Sequence, residues 1–245
     1  IAFLDADDAW EPDKLAVQMA ALEAHPEAGL AYAAVRKVDE AGRPLRAPVI
    51  RRPSGPIFSD LFMQNVIPTS TVVVRRACLE QAGVFDESRE LISVEDYDLW
   101  LRIAERFEVV AVDRPLVRYR VSAAGISRHT ARSYGGERRV VERAVARNRA
   151  SRPELAALLP RRLSQLHFAC GHEYFTANRL LEARAQFAES LRHQPADLRS
   201  TGYYAATFLR PSGIDRVRRL KNEPRSIFQN NRSGPNFSGP ITVMH

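Results

Sequence analysis

The sequence has only two cysteines among its 245 residues, Cys78 and Cys170. Two thiols so far apart along the chain exclude a disulfide framework and a zinc knuckle, so we predict two buried free thiols. The sequence also lacks any apolar run of about 18 residues, the length that a membrane-spanning helix needs. Its first residues form neither a basic segment nor a signal-peptide core, which predicts a cytoplasmic protein.

Lysine is scarce, and positive charge is unevenly distributed. Only three lysines are present. Residues 1–130 hold 16 Lys and Arg against 20 Asp and Glu, a net charge of −4, whereas residues 131–245 hold 20 against 9, a net charge of +11. Three interpretations fit: arginine-rich composition alone, attraction to an anionic membrane surface, or nucleic-acid binding. Aromatic residues are not interleaved with the basic ones, so we expect no nucleic-acid partner and retain peripheral contact with the inner face of an anionic membrane as a hypothesis.

The chain divides into three parts by pattern. It opens with Ile1 inside an apolar run rather than with methionine, which predicts that an amino-terminal part is missing. Strand and helix patterns alternate over residues 1–130 and predict an α/β domain with a mixed sheet. Helical patterns, broken near several prolines, fill residues 131–222. Residues 223–245 are rich in Pro, Gly, Ser and Asn, which predicts a disordered tail.

Hydrophobic spacing predicts the elements that carry the polar motifs. The apolar residues 1–4 predict a buried strand, and strand ends are where sites lie in open α/β sheets. Leu15, Met19 and Leu22 recur at helical spacing and predict one buried helix face. The β-branched residues 69–74 predict a strand, and residues 95–106 predict a helix.

The first acidic cluster is Asp5, Asp7 and Asp8, directly after the predicted first strand. Carboxylates at a rigid strand end can hold Mg²⁺ or Mn²⁺ and leave coordination positions for a diphosphate. Such an ion would stabilise a departing nucleoside diphosphate. Aspartates are also common in turns and as helix caps, so the cluster alone does not establish a site.

The second acidic cluster, Glu95 and Asp96, likewise has two interpretations. Ser93 and Asp96 have the spacing of a capping box, and acids are favoured near the positive end of a helix. Alternatively, Asp96 is a general base that removes the proton from an incoming sugar hydroxyl.

Four segments in a fixed order favour the functional interpretation. Residues 3–15, FLDADDAWEPDKL, resemble the D-x-D-D-x-W-x-P-x-K-L segment of family-2 glycosyltransferases with the GT-A fold. Residues 95–102, EDYDLWLR, resemble the E-D-x-D-L-W-x-R helix of that family. Between them, residues 68–76 and 83–86 resemble its acceptor-side strand and its G-x-F-D turn.

The resemblance implies a fold and roles for particular residues. It implies a partial GT-A domain in which Asp5 lies near the ribose and the metal, and Asp7 holds a divalent cation, Mg²⁺ or Mn²⁺. It makes Asp96 the catalytic base, with Glu95 positioning the acceptor or the base. The implied reaction is inverting transfer of a hexose from a nucleotide-sugar donor to a glycan, a lipid-linked sugar or a protein.

The sequence departs from the family at two places. The resemblance covers roughly residues 1–128 and lacks the amino-terminal strand–helix units that supply most nucleotide contacts. Ser122 or Ala123 also stands where many members carry a histidine that contacts metal or phosphate. We expect Arg120 and Arg128 to meet the diphosphate as cations.

The helical part has one segment with the spacing of a tetratricopeptide repeat: Gly171, Tyr174, Ala183, Phe187 and Pro195. This spacing predicts one antiparallel helix pair with Phe187 buried between the helices. It also supports an alternative function, a non-catalytic interaction scaffold in which the α/β part is vestigial.

Overall fold

The computed structural model describes residues 1–46, 52–121 and 131–209. Its elements in chain order are β1 (Ala9–Trp10), α1 (Lys14–Ala24), β2 (Ala28–Val38), α2 (Phe58–Met63), β3 (Val73–Val74), α3 (Arg76–Ala82), α4 (Glu95–Ala104), β4 (Glu108–Arg120), α5 (Ala131–Arg147), α6 (Glu154–Thr176), α7 (Leu180–His193) and α8 (Leu198–Ala206). Arg128 and the predicted tail, residues 223–245, lie outside the described residues.

The strands form one mixed sheet in the order β1-β4-β2-β3. Strands β2 and β4 are parallel, and both outer pairs are antiparallel. The predicted fold class is therefore confirmed: a partial GT-A-like α/β arrangement with a mixed sheet, followed by helices. The central pair β2 and β4 is the long one, so it carries most of the ladder hydrogen bonds of the sheet.

The first residues extend the sheet beyond β3 without forming a full strand. The Val74 amide donates to the Ile1 carbonyl oxygen at 2.8 Å, and Ala2 bridges Val73. Ile1 and Leu4 are exposed, so the strand predicted for residues 1–4 is an edge segment, partly open to solvent. It still directs Asp5 toward the loop that precedes β3.

The buried face of α1 differs from the predicted one. Leu15 and Met19 are 45% and 44% exposed, whereas Lys14 and Gln18 are buried together with Leu22. The amide nitrogen of Gln18 donates to the main-chain oxygen atoms of Ala31 and Thr71. Polar side chains therefore face the sheet because they satisfy backbone groups there, which apolar spacing cannot predict.

Two further boundaries differ from the sequence expectation. Residues 69–71 form a 3-10 turn, and only Val73–Val74 of the predicted strand pair in the sheet. Pro160, expected to break a helix, lies inside α6. That helix is long and packed on both neighbours, so tertiary contacts offset the hydrogen bond that proline cannot donate.

Helices α6 and α7 form the predicted antiparallel pair. Ala183 and Phe187 are fully buried, and a Cβ on Gly171 would lie 2.8 Å from the Phe187 ring. Glycine is therefore required where the helices approach most closely. On the same hairpin, the Ser190 hydroxyl lies 2.9 Å from that of Ser164 and 2.8 Å from that of Ser200 on α8.

One hydrophobic cluster extends from the sheet and α4 into α5 and α6. Residues of α5 and α6, including Val140, Val141 and Leu166, belong to the same buried cluster as Leu30 of β2 and Trp100 of α4. The core is thus continuous across residue 130, and the division into domains there remains a prediction.

Arginines of α5 pair with acids of the α/β part. Arg143 contacts Asp86 at 2.8 Å, and Arg147 contacts Asp98 at 3.3 Å and Glu105 at 3.0 Å. Part of the charge imbalance between the two halves is therefore neutralised inside the molecule.

Both cysteines are free and buried, as predicted. Within the part of the chain that the structure describes, no helix is long and apolar enough to cross a membrane.

Candidate active site

The aspartate motif forms a tight turn. The Asp8 amide donates to the Asp5 carbonyl oxygen at 3.2 Å, so residues 5–8 close one β-turn that leads into β1. The side chains of Asp5 and Asp7 are exposed, and that of Asp8 is half-buried. Burial raises the pKa of Asp8, and the charges of Asp7 and Asp5 raise it further. The three carboxylates are therefore electrostatically coupled.

The turn is held from both sides. The Ser70 hydroxyl donates to the Asp5 carboxylate at 3.1 Å and accepts from the Asp5 amide at 3.0 Å. On the other side, the Arg120 amide donates to Asp8 at 3.0 Å, and the Arg120 guanidinium donates to the carbonyl oxygen atoms of Asp7 and Glu40. Arg120 therefore fixes the backbone of the turn, and its contact with a diphosphate stays a prediction.

Helix α1 and the residues before it support the 3-10 turn that carries Ser70. The Trp10 indole donates to the Ser70 carbonyl oxygen at 2.9 Å. The Lys14 ammonium lies 4.3 Å from the centre of the Trp10 ring, and burial lowers the pKa of Lys14 to about 8. Trp10 and Lys14 of the motif thus support the neighbouring turn, whereas Leu15 is exposed.

Asp96 lies in the first turn of α4, on the other side of the same 3-10 turn. The Thr69 hydroxyl donates to its Oδ2 at 2.6 Å, and the Tyr97 amide donates to its Oδ1 at 2.6 Å. Loss of hydration raises the pKa of Asp96 to about 6, and the charges of Glu95 and Asp5 add to the rise, while the two hydrogen bonds oppose it. A carboxyl group with this pKa is ionised at neutral pH yet basic enough to accept a proton.

The capping-box interpretation of Ser93 and Asp96 is wrong. Helix α4 starts after Val94 with no side-chain cap, and Ser93 has a left-handed backbone with φ of 77°. The Asp96 carboxylate accepts hydrogen bonds from the Thr69 hydroxyl and the Tyr97 amide instead of forming a box with Ser93. Glu95 is half-buried beside it, with Oε2 unpaired among the described residues.

The rest of the second motif ties α4 to the G-x-F-D turn. Asp98 pairs with Arg102 at 2.8 Å, and Arg102 donates to the carbonyl oxygen atoms of Ala82 and Val84. These two carbonyls flank Gly83, whose positive φ of 83° is a backbone conformation that glycine adopts readily. Arg102 therefore joins α4 to the start of the loop that leads to Asp96.

Trp100 is a packing residue. It is buried and contacts the rings of Phe3 and Phe85 at centroid distances of 5.6 and 6.1 Å. The aromatic cluster joins the first segment, the G-x-F-D turn and α4, the three pieces that carry the acidic residues and their supports.

The structure brings Asp5 and Asp96 to adjacent residues of one turn, because Ser70 binds the first and Thr69 binds the second. Asp7 lies in the same β-turn as Asp5. Thr69 and Ser70 were not predicted as site residues. Their signal is the Thr-Ser-Thr run between the two acidic motifs, in the segment that resembles the acceptor-side strand of the family.

Comparison with known proteins places the chain in a family. The model of "Glycosyltransferase like family 2" matches residues 1–153, more than half of the chain. The chain therefore belongs to the family-2-like glycosyltransferases.

Individual relatives carry the same kind of name. The chain is 33% identical over 103 residues to the "Amylovoran biosynthesis glycosyltransferase AmsE" of Erwinia amylovora, covering 42% of this chain and 37% of that protein. It is 29% identical over 122 residues to an "Uncharacterized glycosyltransferase" of Rickettsia felis, covering 50% of this chain and 20% of that protein. The matches thus span well under half the length of these relatives.

Proposed function

We propose that this chain contributes the catalytic base and part of the donor site of an inverting glycosyltransferase. The observation that carries the proposal is Asp96, a poorly hydrated carboxylate with a pKa of about 6, bound through Thr69 to the turn that holds Asp5. The donor is a nucleotide-activated hexose, and the acceptor is a hydroxyl of a glycan, a lipid-linked sugar or a protein. Family membership supports this class of donor and acceptor.

The reaction is a single displacement. The acceptor oxygen forms a bond to the anomeric carbon while the bond from that carbon to the diphosphate oxygen breaks on the opposite face. The acceptor proton passes to an oxygen of Asp96, and the negative charge leaves with the diphosphate. Thr69 holds Asp96 in position, and Glu95 positions the base or the acceptor.

Asp5 and Asp7 suit a Mg²⁺ or Mn²⁺ ion beside the diphosphate. Among the described residues no hydrogen bond or ion pair reaches the Asp7 carboxylate, which is exposed. The oxygens of Asp5, Asp7 and Asp8 do not gather within 4.8 Å of one another as a group of three. Magnesium typically takes only one or two carboxylates and completes its shell with phosphate oxygens and water, so a two-aspartate arrangement fits. The ion would neutralise charge on the leaving group.

The division of roles can be tested with two matched variants of the native full-length protein. Asp7→Asn should weaken Mn²⁺-dependent binding of the donor, because it removes a ligand. Asp96→Asn should leave donor binding unchanged and lower turnover by about 10² to 10⁴ fold, because it removes the base. Isothermal titration measures the first effect and product formation measures the second.

Asp113→Asn is the control, since Asp113 is exposed and pairs with Arg52, which belongs to neither motif. Equal losses of donor affinity in Asp7→Asn and Asp96→Asn would contradict the division of roles. Unchanged turnover in Asp96→Asn would mean that another group is the base, whereas absence of turnover in the wild type would favour the alternative, an interaction scaffold built on the α6–α7 hairpin.

A second proposal concerns location: the basic helical half contacts an anionic membrane surface peripherally. The net charge of +11 on residues 131–245 motivates it, although several arginines of α5 are paired internally. Each free arginine near such a surface contributes about 1 kcal/mol. Flotation with liposomes should increase with anionic lipid at low salt and weaken at physiological salt. Flotation that ignores lipid charge, or none at low salt, would overturn it.

A further inference from the structure

Three metal-ligating side chains meet on the helical hairpin, away from the acidic motifs. They are His167 of α6 and Glu189 and His193 of α7, and their ligand atoms lie within 4.8 Å of one another. In residues 1–46, 52–121 and 131–209, this is the one group of three or more His, Cys, Asp or Glu side chains that comes so close. All three are half-buried, so an ion in solution can reach them.

The fold places these side chains on rigid supports. Glu189 and His193 are four residues apart on one helix and therefore share a face. His167 faces them from α6, four residues before Gly171, where a Cβ would lie 2.8 Å from the Phe187 ring. This close approach fixes the two helices, so the three ligands are arranged before any ion binds. Sites on packed helices hold their geometry better than sites on loops.

We propose that His167, Glu189 and His193 bind a divalent transition-metal ion, best matched by Zn²⁺. Two imidazoles and one carboxylate form a donor set that zinc accepts in a tetrahedral shell, with water at the fourth position. Imidazole nitrogen favours zinc and its neighbours in the transition series over Mg²⁺, so this site would be chemically distinct from the aspartate turn.

The surroundings orient one ligand for metal binding. The Nδ1 atom of His167 lies 2.9 Å from the side-chain oxygen of Gln186. With that oxygen accepting, Nδ1 carries the proton, and Nε2 keeps the lone pair that a metal requires. A hydrogen bond from the second ring nitrogen to an oxygen acceptor is the usual support of a metal-bound histidine. The His167 and His193 rings are nearly parallel, with centroids 5.6 Å apart.

The charges around the cluster also permit a cation. Glu142 of α5 is near enough to His193 to act on it electrostatically and adds negative charge. Arg192 pairs with Glu189 at 2.9 Å, but its side chain is 72% exposed and can turn into solvent.

Zinc binding to the tag-free chain tests the proposal. Titration calorimetry in excess Mg²⁺ should show one equivalent of Zn²⁺ bound, because Mg²⁺ competes poorly for imidazole. His193→Gln and His167→Gln should each weaken binding by at least about tenfold, since even outer-shell changes at such sites cost that much. His25→Gln is the matched control, because His25 is exposed and its ring lies 3.1 Å from Glu27, outside the cluster.

A structural readout separates this site from adventitious binding. Zn²⁺ should raise the thermal midpoint of the wild type and of His25→Gln, because an ion that binds only the folded state stabilises it. It should leave His193→Gln unchanged. Circular dichroism of the variants without metal checks that they fold. No zinc binding by the wild type, or equal binding by the wild type and by a folded His193→Gln, would overturn the proposal.

Discussion

Buried polar groups around the acidic motifs and in the helical hairpin differ in how many of their hydrogen bonds are made. Around the acidic motifs, Asp8 Oδ2, Lys14 Nζ and Glu95 Oε2 are buried without a hydrogen-bond partner among the described residues. In the helical hairpin, Arg162 Nε of α6 is also buried without a described partner, but the hydroxyls of Ser164, Ser190 and Ser200 form a continuous hydrogen-bonded network that reaches the cap of α8. An unpaired buried polar group costs stability, whereas a completed chain of hydrogen bonds does not.

The hairpin chain ends at the start of α8. The Asp197 carboxylate accepts hydrogen bonds from the amides of Arg199 and Ser200 and from the Ser200 hydroxyl. This is an ordinary helix cap, and it completes the polar network within the helices.

This difference indicates that the polar groups near the acidic motifs serve binding and catalysis, whereas those of the hairpin serve stability. Unpaired buried charges cluster at functional sites because a ligand or a proton completes them during the reaction. The acidic motifs are therefore incomplete without substrate and cation, whereas the serine network between α6, α7 and α8 is complete by itself. Substitutions should therefore have opposite effects on the free energy of unfolding. A substitution in the hairpin should lower it, and one that removes a charge from the site should raise it.

The largest effect is expected at Phe187. Its fully buried ring contacts Phe168, Phe175 and Tyr203 at centroid distances of 5.5, 6.5 and 5.4 Å. Phe187→Ala should lower the free energy of unfolding by about 3 to 5 kcal/mol, because it leaves a cavity among three rings. Urea denaturation followed by circular dichroism measures the change.

Phe208→Ala is the control for that experiment. Phe208 is 58% exposed, with the Arg184 guanidinium over its ring and the Tyr204 ring edge-on to it, so its loss should change stability little. A small loss in Phe187→Ala, comparable to that of the control, would mean that the hairpin repacks easily and is not the stable half.

Hydrophobic periodicity predicts where the helices and strands lie better than it predicts which of their side chains are buried. The helix at residues 14–24 was expected from Leu15, Met19 and Leu22, yet only Leu22 is buried. Gln18 and Lys14 replace the other two because the sheet and the 3-10 turn offer carbonyl oxygen atoms and an aromatic face. A hydrophobic pattern in the sequence does not reveal such tertiary partners.

The acidic residues of the site were predictable, but their supports were not. Asp5 and Asp96 are 91 positions apart in the sequence, and motif resemblance alone placed them together. Thr69 and Ser70 join them because a short 3-10 turn interrupts what composition predicts as a strand. In the hairpin the prediction reached further, since small and aromatic residues at fixed spacing specify the contact directly.

The smaller effect is expected at Asp96, where the site should gain stability. Its pKa of about 6 exceeds the ordinary value of 3.8, so the folded state binds the proton more tightly than the unfolded state. Ionisation therefore costs the fold stability, and that loss grows as pH rises from about 4 through 6.

Asp96→Asn removes the charge and keeps the shape, so its stability relative to the wild type should rise by about 1 to 3 kcal/mol between pH 4.5 and 8. Parallel urea titrations at both pH values measure the difference, with Asp113→Asn expected to show no pH-dependent gain because its carboxylate is exposed. A gain at Asp96 that is the same at both pH values, or that shrinks toward pH 8, would mean that the carboxylate is well solvated and that the acidic half is not under strain.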